Sequence, residues 1–413
     1  MSVTRIKGFA DMFPPASEAF TRMESCARSV FAGYGFAELR TPLLEHTELF
    51  CRSIGEETDV VAKEMFTFAD RKDRSLTLRP EATAGVMRAL IDDGCLAREA
   101  MSRFFTFGPM FRYERPQKGR MRQFHQINAE CLGSDSPFVD AELIDMLLRY
   151  LGVLGIVDVI LKLNSLGCAM CRPNYRTALS AYFGRIEQGV LCPDCLRRAA
   201  VNPLRVLDCK QSCCRAATQN APKFIEYHCD SCARHFATVR DALRGRSFEI
   251  DHRLVRGLDY YCRTTFEVTS AAVGAQSAIA GGGRYDGLAR SLGGPDVPGV
   301  GFACGMERMA LLLPKAPVSR PDFYLLAMDA ELLMQSFVFV RHLRENGLRG
   351  ICDVSQGSFK NRMRQAGKSE ARFCLIIGSD EAADATVTVK TLDSGEQARI
   401  SQACAAQYMG AAS

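Results

Sequence analysis

Phe111-Arg-Tyr-Glu-Arg-Pro-Gln-Lys-Gly-Arg-Met-Arg-Gln-Phe124 sets five basic side chains, Arg112, Arg115, Lys118, Arg120 and Arg122, around a Pro/Gly turn with an aromatic residue at either end. A strand, a basic loop and a returning strand would suit a polyphosphate, because guanidinium forks match phosphate oxygens and Phe124 could stack on a base. Taken alone, the run fits a solvated basic hairpin equally well. Across residues 76–133, short apolar or alternating runs separated by polar turns predict an antiparallel sheet. Before it, Phe20, Met23, Ala27, Val30 and Phe31 recur at helical spacing, and residues 141–154 return to that period.

Two further constellations lie downstream. Residues 254–267 read LVRGLDYYCRTTFE, followed from Gly281 by GGGRYDG. Triple glycine after a strand lets backbone approach a ligand closely, and the adjacent tyrosines with Asp286 could line a polar pocket; a plain tight turn is the alternative. Residues 299–308 read GVGFACGMER, small residues at alternate strand positions and then Arg308 in the first turn of a helix, where it could hold a terminal phosphate. A core strand lightened by glycine explains that spacing as simply.

The 413 residues are 47% apolar and 24% charged, a globular composition sufficient for two or three domains. No apolar run approaches the roughly 18 residues of a membrane span, and Lys7 and Asp11 stand where a signal peptide would be apolar, so a cytoplasmic protein with no membrane partner is expected. The net charge of +5 permits an anionic partner without demanding one. Residues 315–321 form the clearest linker, and beyond them apolar strands at 323–328, 350–354 and 373–377 alternate with helical patterns, predicting a small α/β domain with a largely parallel sheet.

In order and spacing these segments resemble the class II aminoacyl-tRNA synthetases, and among them the histidyl branch. Gly35-Phe36, Leu39 and Pro42-Leu-Leu resemble the first class motif, which builds the dimer interface; residues 112–124 resemble the second and 299–313 the third. Residues 254–267 and 281–287 resemble two segments peculiar to the histidine enzymes. The resemblance implies an α/β (α+β) fold: an antiparallel-sheet catalytic domain over residues 1–164 and 248–317, interrupted by a Cys-rich helical insertion at 165–247, with an α/β anticodon-binding domain at 321–413. It implies ATP and Mg²⁺ as reaction partners, L-histidine and tRNA(His) as the other substrates, and a homodimer.

Residue by residue, it implies that Arg112 holds the α-phosphate of ATP, Glu114 and Phe124 the adenine, and Arg120 and Arg308 the outer phosphates. Arg256 would sit between the histidine carboxylate and the α-phosphate, making Arg112, Arg256 and Arg308 the catalytic cations. Glu81, Thr83 and Gln126 would bind the α-amino group, Glu130 and Tyr261 the imidazole, and Ala82 and Tyr260 the pocket wall. Arg115, Gln117 and Lys118 would meet the tRNA acceptor end. In the tail, Lys360, Arg362, Arg364 and Lys368 gather on one helix, either for anticodon contacts or as a solvated face.

Residues 165–247 hold nine of the 18 cysteines and few large apolar residues. Random placement would give roughly one C-x-x-C in the chain, whereas Cys168-x-x-Cys171, Cys192-x-x-Cys195 and Cys229-x-x-Cys232 fall within 65 residues. With Cys209 and Cys214 they could furnish two tetrahedral structural Zn²⁺ sites, although reduced thiols serving as small core residues are the plainer reading. The likeness to cysteine-bearing members of the family leaves Cys213 as the spare. His228 and His235 are expected to be solvated or capping residues.

Two rivals keep the same fold. A regulatory paralogue that partners an ATP phosphoribosyltransferase lacks the tail and erodes the phosphate-binding arginines, and a tRNA-binding scaffold would bind tRNA without activating an amino acid.

Overall fold

The computed structural model describes residues 3–411 apart from 57, 117–118, 188, 277, 315–319 and 356. Gln117 and Lys118 therefore lie outside the described residues. The chain divides into two compact units, Met1–Lys315 and Ala316–Ser413.

In the first unit an eight-stranded sheet runs in the order Ala37–Glu38, Ser102–Phe111, Gln123–Leu132, Gly299–Gly305, Ala278–Arg284, Cys262–Thr269, Ile160–Ser165, Phe248–Ile250. Only the outermost pairings at each edge are parallel; the rest are antiparallel. The basic segment is the connection between two ten-residue strands, paired from Ser102↔Leu132 to Phe111↔Gln123.

Two helices cover one face of this sheet. Pro137–Val153 begins with Ser136 Oγ accepting from the Phe138 amide and a proline in its first turn, which fixes φ where no donor is needed. It buries Val139, Leu143, Ile144, Leu147, Tyr150 and Leu151, the spacing of a single helical face. Ala16–Ala32 packs on the same core through Met23, Ala27, Val30 and Phe31.

Three expectations need correction. Within residues 76–133 the chain is not all sheet: Thr83–Asp93 and Cys95–Arg98 are helical, with Val86, Met87 and Leu90 buried on one helical face that short-window alternation does not register. The insert is not poor in core either. Its Tyr175, Leu179, Phe183, Val206, Leu207 and Phe224 join one apolar cluster with Leu132 of the eight-stranded sheet and with Tyr261, Tyr285 and Leu288 beside it. His235 is buried in the insert helix Asp230–Ala242, Nε2 3.5 Å from Asp140 Oδ2, rather than solvated.

The second unit has strand order Gly350–Asp353, Phe323–Ala327, Phe373–Ile377, Thr386–Thr391, Gln397–Ser401. The first three strands are parallel, as expected, but the last two extend the sheet antiparallel. The short Asp393-Ser394-Gly395 turn allows only a hairpin, since a parallel return needs a crossover of a dozen residues or more. On the helix Phe359–Lys368, Lys360, Arg364 and Lys368 are exposed, whereas Arg362 is buried, donating to Asp353 Oδ2 at 2.8 Å and to the Ala327 carbonyl at 2.7 Å. Arg362 thus braces the sheet.

Candidate active site

Side chains alternate along a strand, so Gln126, Asn128 and Glu130 all project to the same face of Gln123–Leu132. Across from them in register stand Gly305, Ala303 and Gly301, and on the following strand Gly281 lies opposite Ala303. Small residues on two adjacent strands leave a trough in the sheet, and large polar side chains from both sides lie over it. A Cβ at Gly301 would collide with Glu130 Oε2 and come within 2.7 Å of the Ala129 carbonyl oxygen. One at Gly281 would come within 2.7 Å of Arg256 Cζ. The glycines that sequence reading could treat as a lightened core strand or a turn are the room taken by the side chains of Glu130 and Arg256.

Above the trough is a cavity of about 730 Å³. Of the residues singled out from sequence, Glu81, Thr83, Arg112, Glu114, Arg120, Phe124, Gln126, Glu130, Arg256, Tyr260, Tyr261 and Arg308 line it. Ala82 is buried at the start of the helix Thr83–Asp93 and does not line the cavity; nor does the described Arg115. The sequence reading passed over Asn128, Glu267, Tyr285 and, from the insert, Asp208, Lys210 and Arg215, all of which line it. Tyr285 had a signal, since it falls inside the GGGRYDG run, but Lys210 and Arg215 sit among cysteines with no local mark of their destination.

At one end, two buried carboxylates are held apart by different donors. Glu130 accepts from Thr83 Oγ1 at 2.6 Å and from the Tyr285 hydroxyl, and Glu81 accepts from the Tyr260 hydroxyl at 2.8 Å and the Ala84 amide at 3.1 Å. The rings of Tyr260 and Tyr261 lie 4.6 Å apart, and Tyr260 meets Tyr285 edge-on at 5.7 Å. Gln126 Oε1 and Asn128 Nδ2 are buried with no hydrogen-bond partner among the described residues, an arrangement that suits a polar ligand.

Toward the other end stand the cations. Arg112 Nε donates to the Pro80 carbonyl at 2.9 Å, and its guanidinium carbon lies 5.4 Å from the centre of the Phe124 ring. Arg256 Nη1 donates to Glu267 Oε2 at 3.0 Å, while its buried Nε has no partner. Arg308 donates to the carbonyls of Ala278 at 2.7 Å and Gly119 at 3.2 Å. Arg120 pairs with Glu114, and Arg122 stacks at 3.7 Å over Tyr113 rather than entering the cavity.

Burial pushes the Glu130 carboxyl up from its ordinary 4.5 to about 8, against the hydrogen bonds from Thr83 and Tyr285, with Glu81 nearby raising it further. Between those values the folded chain holds a proton that the unfolded chain has released. Stability from this group is therefore greatest at low pH and declines as pH rises through the window, by at most about 1.4 kcal/mol per unit. Comparing urea unfolding of the Glu130→Gln variant and the parent at about pH 5.5 and about pH 8, the variant is expected to lose this slope. An unchanged slope would assign the proton to another group.

In the insert the described thiols form two groups, Cys168, Cys171, Cys229, Cys232 and Cys192, Cys195, Cys209, Cys214, with all ligand atoms in each group within 4.8 Å of one another. Observed Sγ separations are 3.7 Å for Cys168–Cys171 and 4.0 Å for both Cys168–Cys229 and Cys192–Cys209. A disulfide would need about 2.05 Å, whereas a tetrahedral ion with Zn–S bonds of about 2.3 Å spaces its sulfurs about 3.8 Å apart. The amides of Cys229 and Cys192 donate to Cys171 and Cys214 Sγ, each at 3.2 Å. Cys213 is exposed and belongs to neither group.

A family model described as histidyl-tRNA synthetase matches residues 8–170 and 197–309. The chain belongs to the histidyl-tRNA synthetase family. A second model, described as an anticodon binding domain, matches residues 322–410. A histidine–tRNA ligase of Nitratidesulfovibrio vulgaris (strain DP4) is 59% identical, the alignment covering 99% of each chain. One from Geobacter metallireducens (strain ATCC 53774 / DSM 7210 / GS-15) is 48% identical over 96% of this chain and 97% of its own. The crystal structure of apo S. aureus histidyl-tRNA synthetase superposes with a TM-score of 0.82 at 30% identity, covering 99% of this chain and all of that one. The tail domain is thus present, as are Arg112, Arg256 and Arg308. No helix among the described residues is long and apolar enough to cross a membrane.

Proposed function

We infer that this chain, a histidine–tRNA ligase, forms histidyl-adenylate and pyrophosphate from L-histidine and ATP in this cavity, then passes histidine to the 3′ end of tRNA(His) with release of AMP. The carrying observation is that Arg112, Arg256 and Arg308, from three distant parts of the sequence, line one cavity with the buried Glu130.

The histidine carboxylate is a weak nucleophile, and its attack on the α-phosphorus spreads negative charge over the transferring group. Fixed positive charge and alignment are therefore what the protein must provide. Arg112 and Arg256 would flank the α-phosphate, Arg120 and Arg308 the outer phosphates, and Phe124 with Glu114 the adenine. Mg²⁺ travels with ATP and, when bound, neutralises charge on its outer phosphates; Glu114 and Glu267 are carboxylates of the cavity that could help hold it.

Glu81, Thr83 and Gln126 would take the α-amino group. Tyr261 and Glu130 would read the imidazole, to which the Tyr285–Glu130 bond adds an orienting contact. A buried donor left unpaired costs about 1–3 kcal/mol, so a side chain without ring nitrogens is rejected. Arg115, with Gln117 and Lys118, would receive the acceptor end. Anticodon contacts would fall to the cleft of about 500 Å³ lined by Tyr324, Asn361, Gln365 and Lys368. A cytoplasmic homodimer completes the reading, with the half-exposed Leu43 and Leu44 of the first motif facing the partner.

Histidine-dependent ATP–pyrophosphate exchange tests the activation step. Exchange with histidine and with no other amino acid is expected; tRNA binding without exchange would leave only a scaffold. The eight clustered thiols fit two structural zinc ions, and elemental analysis of the purified chain is expected to find two per molecule. Metal-free, fully folded protein would reduce the thiols to core packing.

A further inference from the structure

Arg256, Tyr260 and Tyr261 stand on a segment without regular structure: none of residues 251–261 belongs to a helix or strand. A bare loop is a poor mount for groups that must be held to fractions of an ångström. Its support comes from the thiol-bearing insert, at both ends.

At the end near Tyr261, Arg172, the neighbour of Cys171, donates from Nη2 to the Tyr261 carbonyl. The Leu166 amide donates to the Arg263 carbonyl at 2.7 Å and the Arg263 amide to that of Gly167 at 2.8 Å, one residue before Cys168. Arg263 itself is held at φ +45°, a conformation that an arginine keeps only when its surroundings impose it. At the end near Arg256, Arg253 donates to the carbonyls of Arg215 at 2.9 Å and Leu207 at 3.4 Å, which bracket Cys209 and Cys214. Between the two ends, beside Tyr260, Arg205 and Asn202 donate to Asp259 Oδ1 at 2.8 and 3.3 Å. Cys171, Cys195, Cys214 and Cys232 pack in the same apolar cluster as Tyr261 and Tyr285.

Each thiol group is thus one short bonded step from the histidine loop. Four reduced thiols fill space but set no direction, whereas a tetrahedral ion would fix four Cβ positions and, with them, the carbonyls that Arg253 grips and the backbone that carries Arg172. The family match leaves out residues 171–196, which hold Cys171, Cys192 and Cys195, so part of each centre lies in a stretch outside the shared pattern.

We propose that the two metal-loaded thiolate centres position the histidine-binding loop, the first setting Tyr261 through Arg172 and the second setting Arg256 through Arg253 and Tyr260 through Arg205. This rests on the zinc reading above. Arg172 and Arg253 do not line the cavity, so they act as positioning residues. The ATP-facing Arg112, Phe124 and Arg308 stand on other segments and should be spared. The device therefore acts on the loop that meets histidine and the reacting α-phosphate, and not on the segments that hold the rest of ATP.

The test uses the full-length, metal-loaded protein and its Arg172→Gln and Arg253→Gln variants. Zinc per chain is measured by elemental analysis, histidine binding by equilibrium dialysis with labelled histidine, and both KM values and the maximal rate by pyrophosphate exchange. In both variants zinc should stay at the parental level and the KM for ATP should change by less than about two-fold, while Arg172→Gln should lower histidine affinity about ten-fold or more and Arg253→Gln should slow exchange about ten-fold or more with a smaller change in histidine binding. Arg253→Lys, keeping one donor, should recover part of the loss. Parent protein stripped of zinc should show both defects, weaker histidine binding and slower exchange, with the KM for ATP spared, and both should be reversed by adding zinc. Unchanged histidine binding in Arg172→Gln, an unchanged exchange rate in Arg253→Gln, or a KM for ATP that rises as much as the histidine defect in either, would overturn the proposal while leaving the zinc reading standing. A parent chain without metal would remove both.

Discussion

Replacing Arg256 by alanine is expected to slow pyrophosphate exchange about 1,000-fold while weakening histidine binding less than about ten-fold, the signature of a cation that meets charge only as it develops. The side chain is placed for that. Glu267 holds Nη1 at 3.0 Å, the Tyr261 ring centre lies 5.9 Å from the guanidinium carbon, and Gly281 gives it room from below, while Nε is left without a partner. A guanidinium fixed this way need not reorganise when the α-phosphorus becomes pentavalent. Single-turnover adenylate formation alongside equilibrium histidine binding separates the two effects. Equal losses in both would mean that Arg256 only binds substrate.

Gly281→Ala is expected to cost about 100-fold or more in exchange although it removes no functional group. The new methyl would fall within 2.7 Å of Arg256 Cζ and 2.8 Å of its Nη2, tighter than any real contact, and the buried strand pairing of Gly281 with Glu267 and Ala303 prevents the backbone from yielding. The guanidinium must move. If that is the whole damage, the Gly281→Ala/Arg256→Ala double variant should be no slower than Arg256→Ala alone, because the second change has nothing left to displace. Multiplying losses, or a melting temperature lowered by more than a few degrees, would instead locate the harm in the sheet.

The apolar and polar periodicities of the chain determined its elements well where one face is buried, as in residues 16–32 and 137–153, and the basic run at 112–122 announced a loop between two strands. The same local patterns misled where burial was set from elsewhere. The helix Thr83–Asp93 was hidden in sheet-like surroundings, and Arg362 read as a surface cation although Asp353 draws it inward.

By itself the sequence determined the chemistry on offer: arginines for phosphate, tyrosines and an aspartate beside glycines for a polar pocket, thiols spaced in pairs. Those depend on residue type and short spacing, which a linear chain displays. Only the tertiary structure decided which groups share a site. It made Gly281 and Gly301 room for Arg256 and Glu130, brought Tyr285 onto Glu130, divided eight cysteines into two fours, and set Lys210 and Arg215 from the insert into the cavity wall. Each of these is a contact between residues tens to hundreds of positions apart, and steric exclusion at such distances is a property of packed volume, which has no counterpart along the sequence.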